Sequence, residues 1–498
     1  MTDDAPRSAG LFAAAARSVS WTLGAGVIVR ILGFVSTAIA ARILTPADYG
    51  LVALAMSLWY LFESFFAFGV ESYIIREKDP PRAVYDTAWT LNLIRGAVFA
   101  FGIVAAAPSI ASGLGDERLG PMLYAVAAIA FLSCARNTGF VDYSKSLKFS
   151  YEFGAVVIGK FLSILVTIAL AVSLRSYWAL LFGVLAAELW HAGYTYAAHP
   201  FRPRMTLSRW RDLFSFAGWL TLGRAAFSLS VKFDAILLQK TVGTDAVGVF
   251  TVGRSVAAMP TNEMIYPVNK ALFPALAKAA ARGEALKSAH LEALALITSL
   301  ALPAGIGLAI VAPDAVRALL GAQWDGAVPV VQMIGAGFAV LTIATNFDAV
   351  MMTAGRMQLY AWRGVIFAVL RIAVFLGGLF LYGLYGAAAG FALGCVIQAI
   401  IDTTIMNRVT GATWGDAARR IWRSLIASAA MTAALFPALA VAPEAGGGGG
   451  ALMRLAVLAA LGATTYAVVH FALWRLSGRP EGPETRMLFL FRTVFPRS

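Results

Sequence analysis

Apolar stretches of about 20 residues recur along the 498-residue chain, each closed by a short charged or Gly/Pro-containing turn. A run of that length is what an α-helix needs to cross the roughly 30 Å hydrocarbon layer of a bilayer. Fourteen such runs can be marked, at about 19–41, 50–75, 87–110, 120–142, 152–173, 177–198, 212–238, 245–269, 290–312, 328–353, 359–382, 384–405, 421–442 and 451–474. They nearly exhaust the chain, leaving little for a soluble domain on either side. The fold expected is therefore all-α and membrane-embedded.

Composition agrees. Hydrophobic residues make up 59% and charged residues 13%, with a mean hydropathy of +0.74; soluble domains average about 45–50% and 25%. The first apolar run, Val19 to Ala41, is too long for a cleaved signal segment and reads as a permanent span. The net charge of +13 would suit nucleic acid, but its distribution speaks for membrane loops. With the N-terminus in the cytoplasm, 24 of the 40 Lys and Arg fall in inside segments, five in outside loops and 11 within spans. That asymmetry follows the positive-inside rule and places both termini in the cytoplasm, with no nucleic-acid partner implied.

A shift of 198 residues lays the first hairpin over the seventh and eighth spans: Trp21 meets Trp219, Arg42 meets Lys240, and Gly50 meets Gly248. Six spans separate the equivalents, so the halves would share one topology. Three segments are expected: an N-lobe over 1–199, a C-lobe over 200–410, and spans 13 and 14 with a cytoplasmic tail over 411–498. The basic link 199–211 (HPFRPRMTLSRWR) is read either as a helix lying on the anionic cytoplasmic leaflet or as a plain topogenic loop. The run Gly446–Gly450 reads as a linker, and Cys134 and Cys395 as small apolar packing residues.

The candidate chemistry lies in the 11 cations inside spans. A charge at mid-bilayer costs roughly 2.5–3.5 kcal/mol on insertion scales. At about 1.5 Å per residue, Arg30, Arg224 and Arg371 lie roughly 16–18 Å from the cytoplasmic starts of their spans, and Arg95 roughly 12 Å. Four helices thus carry arginine at a similar depth, and Arg254, Lys160 and Lys232 extend the path. Arginine stays charged and offers a planar fork suited to phosphate, so Arg30, Arg95, Arg224, Arg371 and Arg254 are candidate pyrophosphate-binding residues. The alternatives are snorkelling and structural ion pairs. Among the acids, Glu63, Glu188 and Asp234 are candidates for coupling to a proton or sodium ion, or else neutralise the arginines. Trp21, Trp59, Tyr60 and Trp219 are candidate sugar-facing aromatics or packing residues. Four scattered histidines, no metal-ligand spacing and no nucleotide-binding loop leave no expected cofactor, metal or catalytic constellation.

ARILTPADYGLVALA (41–55), FDAILLQKTVGTDAVGVFTVGRSVAAMP (233–260) with ALFPAL (271–276), and LLGAQWDGAVPVVQMIGAG (319–337) resemble the polysaccharide transporter family. That family belongs to the superfamily of multidrug, oligosaccharidyl-lipid and polysaccharide exporters. The resemblance implies two pseudo-symmetric six-helix lobes, with the last two spans an addition. It also implies translocation of an undecaprenyl-pyrophosphate-linked oligosaccharide between leaflets of the bacterial inner membrane, with the polysaccharide polymerase machinery as a partner. It transfers no residue-level motif. A lipid II flippase, a multidrug exporter, a membrane glycosyltransferase or polymerase, and a non-transporting scaffold are the competing readings.

Overall fold

The computed structural model describes residues 24–485 apart from 25, 27, 31, 67–72, 76, 78, 147, 214–232, 282–285, 442–447, 481 and 483. Among the described residues every regular element is helical. Two compact units are formed, Met1–Gly248 and Val249–Ser498.

In the first unit α1 (residues 32–43) leads into α2 (Pro46–Phe66). The start of α2 is written in the sequence T-P-A-D. The Thr45 N–H donates to Asp48 Oδ2 at 2.9 Å and the Asp48 N–H to Thr45 Oγ1 at 3.3 Å, a reciprocal cap with proline at the first helical position. Next come α3 (Arg82–Leu114), α4 (Leu119–Cys134), the short α5 (Val141–Lys145), α6 (Phe149–Leu174), α7 (Trp178–Ala198) and α8 (residues 233–241). Helix α3 stops where Gly115 takes φ +73 and its N–H donates to Ser112 O, the left-handed C-terminal cap that glycine adopts without strain. The core joins α2, α3 and α4 through Leu51, Leu54, Trp59, Phe99, Met122, Leu123 and Val126. Trp59 packs on Phe62 and Phe99 with ring centroids 6.1 and 5.2 Å away, so it is a packing aromatic. Trp21 and Trp219 lie outside the described residues.

The first unit also holds the beginning of α9 (Thr244–Ala281), and here two glycines meet. A Cβ on Gly50 would lie 2.0 Å from the Thr244 carbonyl oxygen, and one on Gly248 would lie 1.8 Å from that of Pro46. Both pairs are related by the 198-residue offset. No side chain other than hydrogen fits at either position.

The second unit continues with α10 (Leu286–Ile310), α11 (Ala312–Leu319), α12 (Val328–Leu341), α13 (Phe347–Thr353), α14 (Met357–Thr410), α15 (Trp414–Val441) and α16 (Gly448–Leu476). Helix α14 contains two expected spans. It breaks at Tyr382 and Gly383, the latter at φ +59, at the turn anticipated between 359–382 and 384–405. The two arms fold back on each other through glycine: a Cβ on Gly378 or on Gly386 would come within 2.0 Å of the other's carbonyl oxygen. This is the close backbone approach that small residues allow between spanning helices. The linker reading of Gly446–Gly450 is corrected at Gly448–Gly450, which begin α16, while Gly446 and Gly447 lie outside the described residues. Glycine costs about 1 kcal/mol per position in a helix, and the apolar run behind it carries the helix back.

Among the described residues, seven helices are individually long and apolar enough to cross a membrane, or eight if α4 and the segment Thr138–Lys145, bent by 55°, make one span. One of the seven is the 53-residue stretch Gln358–Thr410, which contains the hairpin.

Candidate functional site

In the first unit, half-buried ionisable side chains lie on five helices or at their ends. Arg95 on α3 donates from Nη2 to Cys134 Sγ at 3.3 Å, at the end of α4. The approach is close because Gly96 leaves room: a Cβ there would lie 2.6 Å from the Cys134 Cβ. Cys134 also feels the charges of Glu63 from α2 and of Arg136. Arg136, just past α4, donates to Glu188 Oε2 on α7 at 2.5 Å, and its Nη2 lies 3.3 Å from His191 Nδ1. Glu63 and Glu188 both act electrostatically on the Tyr60 hydroxyl. On α6, Lys160 reaches the first span, since a Cβ on Gly33 would lie 3.4 Å from its Cε. Three half-buried cations and two half-buried carboxylates therefore lie on the helices of this unit. Glu188, named from sequence as an ion-coupling candidate, is the counter-charge of Arg136. Arg30 is half-buried in the first span. Asp234 is buried at the start of α8.

In the second unit two of the sequence-named arginines rest on one aromatic cluster. Phe250 packs edge-on against Phe375 and Phe391, with centroids 5.7 and 6.1 Å away, and Phe338 joins Phe391 at 5.6 Å. The Arg254 guanidinium lies 5.6 Å from the Phe250 ring centroid and that of Arg371 lies 4.4 Å from Phe391. Cation–π contacts of this kind hold a guanidinium in an apolar setting. Arg224 lies outside the described residues.

Sequence reading missed the buried ion pairs. Arg363 and Asp402, on opposite arms of α14, form a bidentate pair with Arg363 Nε donating to Asp402 Oδ1 at 2.5 Å. The Arg363 guanidinium also lies 4.6 Å from the Phe347 ring. Arg423 on α15 pairs with Glu484 at 2.9 Å, and His470 Nε2 lies 3.1 Å from the same carboxylate. Arg454 on α16 pairs with Asp314 at 3.1 Å. Each partner is remote in sequence, and no local spacing announces it. Among the described residues no three His, Cys, Asp or Glu converge as metal ligands.

These features define a multi-pass helical membrane protein with charged residues built into its interior. Residues 39–329 match the polysaccharide biosynthesis protein family, and the chain belongs to that family. Its relatives include the lipopolysaccharide biosynthesis protein WzxC of Escherichia coli (strain K12), 23% identical over 77% of this chain and 78% of that one. The succinoglycan biosynthesis transport protein ExoT of Rhizobium meliloti (strain 1021) is 25% identical over 85% of both chains. Among solved structures the fold resembles that of the lipid II flippase MurJ in an inward closed conformation. The TM-score is 0.74 at 12% identity, covering 92% of this chain and 99% of that one. A multidrug resistance MATE family transporter in an inward-facing conformation gives 0.61 at 17% identity, over 77% of this chain and 95% of that one. The chain is a multi-pass protein of the bacterial inner membrane.

Proposed function

We propose that this protein is a flippase for an oligosaccharide carried on undecaprenyl pyrophosphate, moving it from the cytoplasmic to the outer leaflet by alternating access for surface or exopolysaccharide synthesis. The observation that carries the reading is the pair Arg254 and Arg371, each seated on a ring of one aromatic cluster inside apolar helices. Guanidinium groups held in a low-dielectric setting attract a diphosphate strongly and repel cationic drugs. Whole-length relatives named for polysaccharide synthesis and transport supply the substrate class.

In this reading Arg30, Arg95 and Arg224 add to the pyrophosphate-binding charge, the lipid tail stays in the bilayer, and the chain performs no bond-making step. Glu63, Glu188 and Asp234 are the candidate coupling carboxylates for a proton or sodium ion. Glu188 must give up its pair with Arg136 to bind a coupling ion. Fourteen spans with both termini cytoplasmic, the lobes 1–199 and 200–410, the segment 411–498, and the polymerase machinery as partner complete the proposal.

The test is export. Arg371→Ala and Arg254→Ala are each expected to lower surface polysaccharide about tenfold or more at matched protein levels, the loss of one charge-assisted contact worth roughly 1.5–3 kcal/mol. Unchanged export in both would remove the phosphate-binding role. Rescue of cells depleted of their own lipid II flippase would move the substrate to the peptidoglycan precursor.

A further inference from the structure

The link after α7 is an extended strap, the loop alternative of the two read from sequence, and helix starts only at Trp210. Its backbone is pinned to the first turns of α3. The Arg204 N–H donates to Asp86 Oδ1 at 2.8 Å, the Thr206 N–H to Thr90 Oγ1 at 3.0 Å and the Arg209 N–H to Thr87 Oγ1 at 3.3 Å. The Phe201 carbonyl accepts from Asn137 Nδ2 at 2.8 Å and the Arg202 carbonyl from Arg82 Nη2 at 2.9 Å. Beyond the strap, Leu213 is buried in a core with Ile74, Val84, Tyr85, Ala88 and Val141. The strap is thus tied down at both ends and in the middle, with its polar backbone turned inward.

Its outer surface has a different character. Met205 is 75% exposed, Trp210 46% and Leu207 44%. Arg202, Arg204, Arg209 and Arg211 are exposed between and beside them, with the Arg211 guanidinium 5.5 Å from the Trp210 ring. The acid of the strap's own run, Asp212, pairs with Arg209 at 3.3 Å. A fixed backbone that holds three large apolar side chains and four arginines outward matches the boundary between lipid headgroups and acyl chains. Water alone gives no reason to hold Met, Leu and Trp there.

We propose that the strap 201–211 is a docking surface for anionic phospholipid headgroups. Arg202, Arg204, Arg209 and Arg211 take the phosphates, and Met205, Leu207 and Trp210 enter the layer just beneath them. Charge complementarity selects the occupant, because each arginine near an anionic leaflet contributes about 1 kcal/mol. The inference is independent of what the protein transports. It fixes the strap, and through Asp86, Thr87 and Thr90 the start of α3, at the membrane surface.

The experiment uses the full chain in nanodiscs. Met205→Cys is labelled with an environment-sensitive fluorophore, and the unsubstituted protein, whose Cys134 and Cys395 are buried, serves as the labelling blank. Doxyl-labelled phosphatidylglycerol and doxyl-labelled phosphatidylcholine are compared as quenchers at equal mole fraction, with iodide as the aqueous quencher. The expected result is protection from iodide, with quenching by the phosphatidylglycerol probe about fivefold stronger, the factor one arginine supplies. The preference should vanish in about 0.5 M salt, where the Debye length falls to roughly 4 Å. The fourfold variant Arg202→Gln, Arg204→Gln, Arg209→Gln, Arg211→Gln should lose it as well. Strong iodide quenching with none from either lipid would place the strap in water and point to a protein partner, overturning the proposal. Equal quenching by the two lipids would also overturn it, since the strap would then dock without recognising charge. Failure of the export test above would leave both readouts unaffected.

Discussion

Arg363 and Arg371 stand two turns apart on the same arm of α14 and have different neighbours. Arg363 is closed in by Asp402 and Phe347, whereas Arg371 rests on Phe391. Removing one member of a buried pair leaves the other charge stranded, at a cost of about 3–5 kcal/mol. Arg363→Ala should therefore lower the unfolding temperature of the purified protein, and Arg363→Ala with Asp402→Ala should recover part of the loss. A double variant no more stable than Arg363→Ala would contradict the structural role of this pair. His199 is a second residue with a defined consequence. Burial lowers its pKa, partly offset by Asp142, while Arg202 adds to the lowering. Its Nδ1 accepts from the Phe201 N–H at 3.2 Å, so the imidazole is neutral when the strap is docked. A histidine with a depressed folded pKa leaves the unfolded or undocked state to bind the proton first as pH falls below about 6.5. Docking is complete above that value and weakens as pH drops toward the folded pKa. Amide protection of Phe201 and Arg204 should be lower at pH 5.5 than at 7.5, and His199→Gln should remove the difference.

At the scale of elements, the glycines of α2 and α9 determine how close two helices can come. Gly50→Ala would drive a methyl into the Thr244 carbonyl, and overpacking of this kind costs about 1–3 kcal/mol. The expected outcome is a loss of thermal stability for Gly50→Ala and for Gly248→Ala. The double variant should cost less than the sum, because one displacement of the helices relieves both clashes. Strict additivity would mean that the positions do not share a contact. Much of this layer was legible in the sequence. The turn at residue 383 divides α14 where the apolar runs divide, whereas α2 starts at Pro46, ahead of the apolar run 50–75 that marks it. The strap's conformation was not legible. Its arginine-rich spacing suits a helix on a leaflet or a plain loop equally, and the acceptors that hold it extended are Asp86, Thr87 and Thr90, more than 100 residues away. The pairs Arg136–Glu188 and Arg363–Asp402 escaped for the same reason: hydropathy locates a charge along a span and says nothing about which neighbour meets it.

For the molecule as a whole, length and apolar content identified a multi-pass helical protein, and the resemblance in three segments pointed to the family that residues 39–329 match. What those signals lack is the grouping of the named arginines. Arg95 belongs with Glu63, Cys134 and Arg136 in the first unit, while Arg254 and Arg371 share the phenylalanine cluster of the second. A depth count treats them as one layer, because distance along a helix axis is blind to the azimuth at which a side chain leaves it. The export experiment is the measurement at this scale, since only transport reads every span at once.

The meeting of α2 with α9 has a further implication. Knobs seated in holes must rotate out of their sockets before two helices can part, and that rotation slows separation. Main chain laid against main chain has no such catch. At Gly50 and Gly248 the approach is set by carbonyl oxygens, with no rotamer at either position to hold or release it.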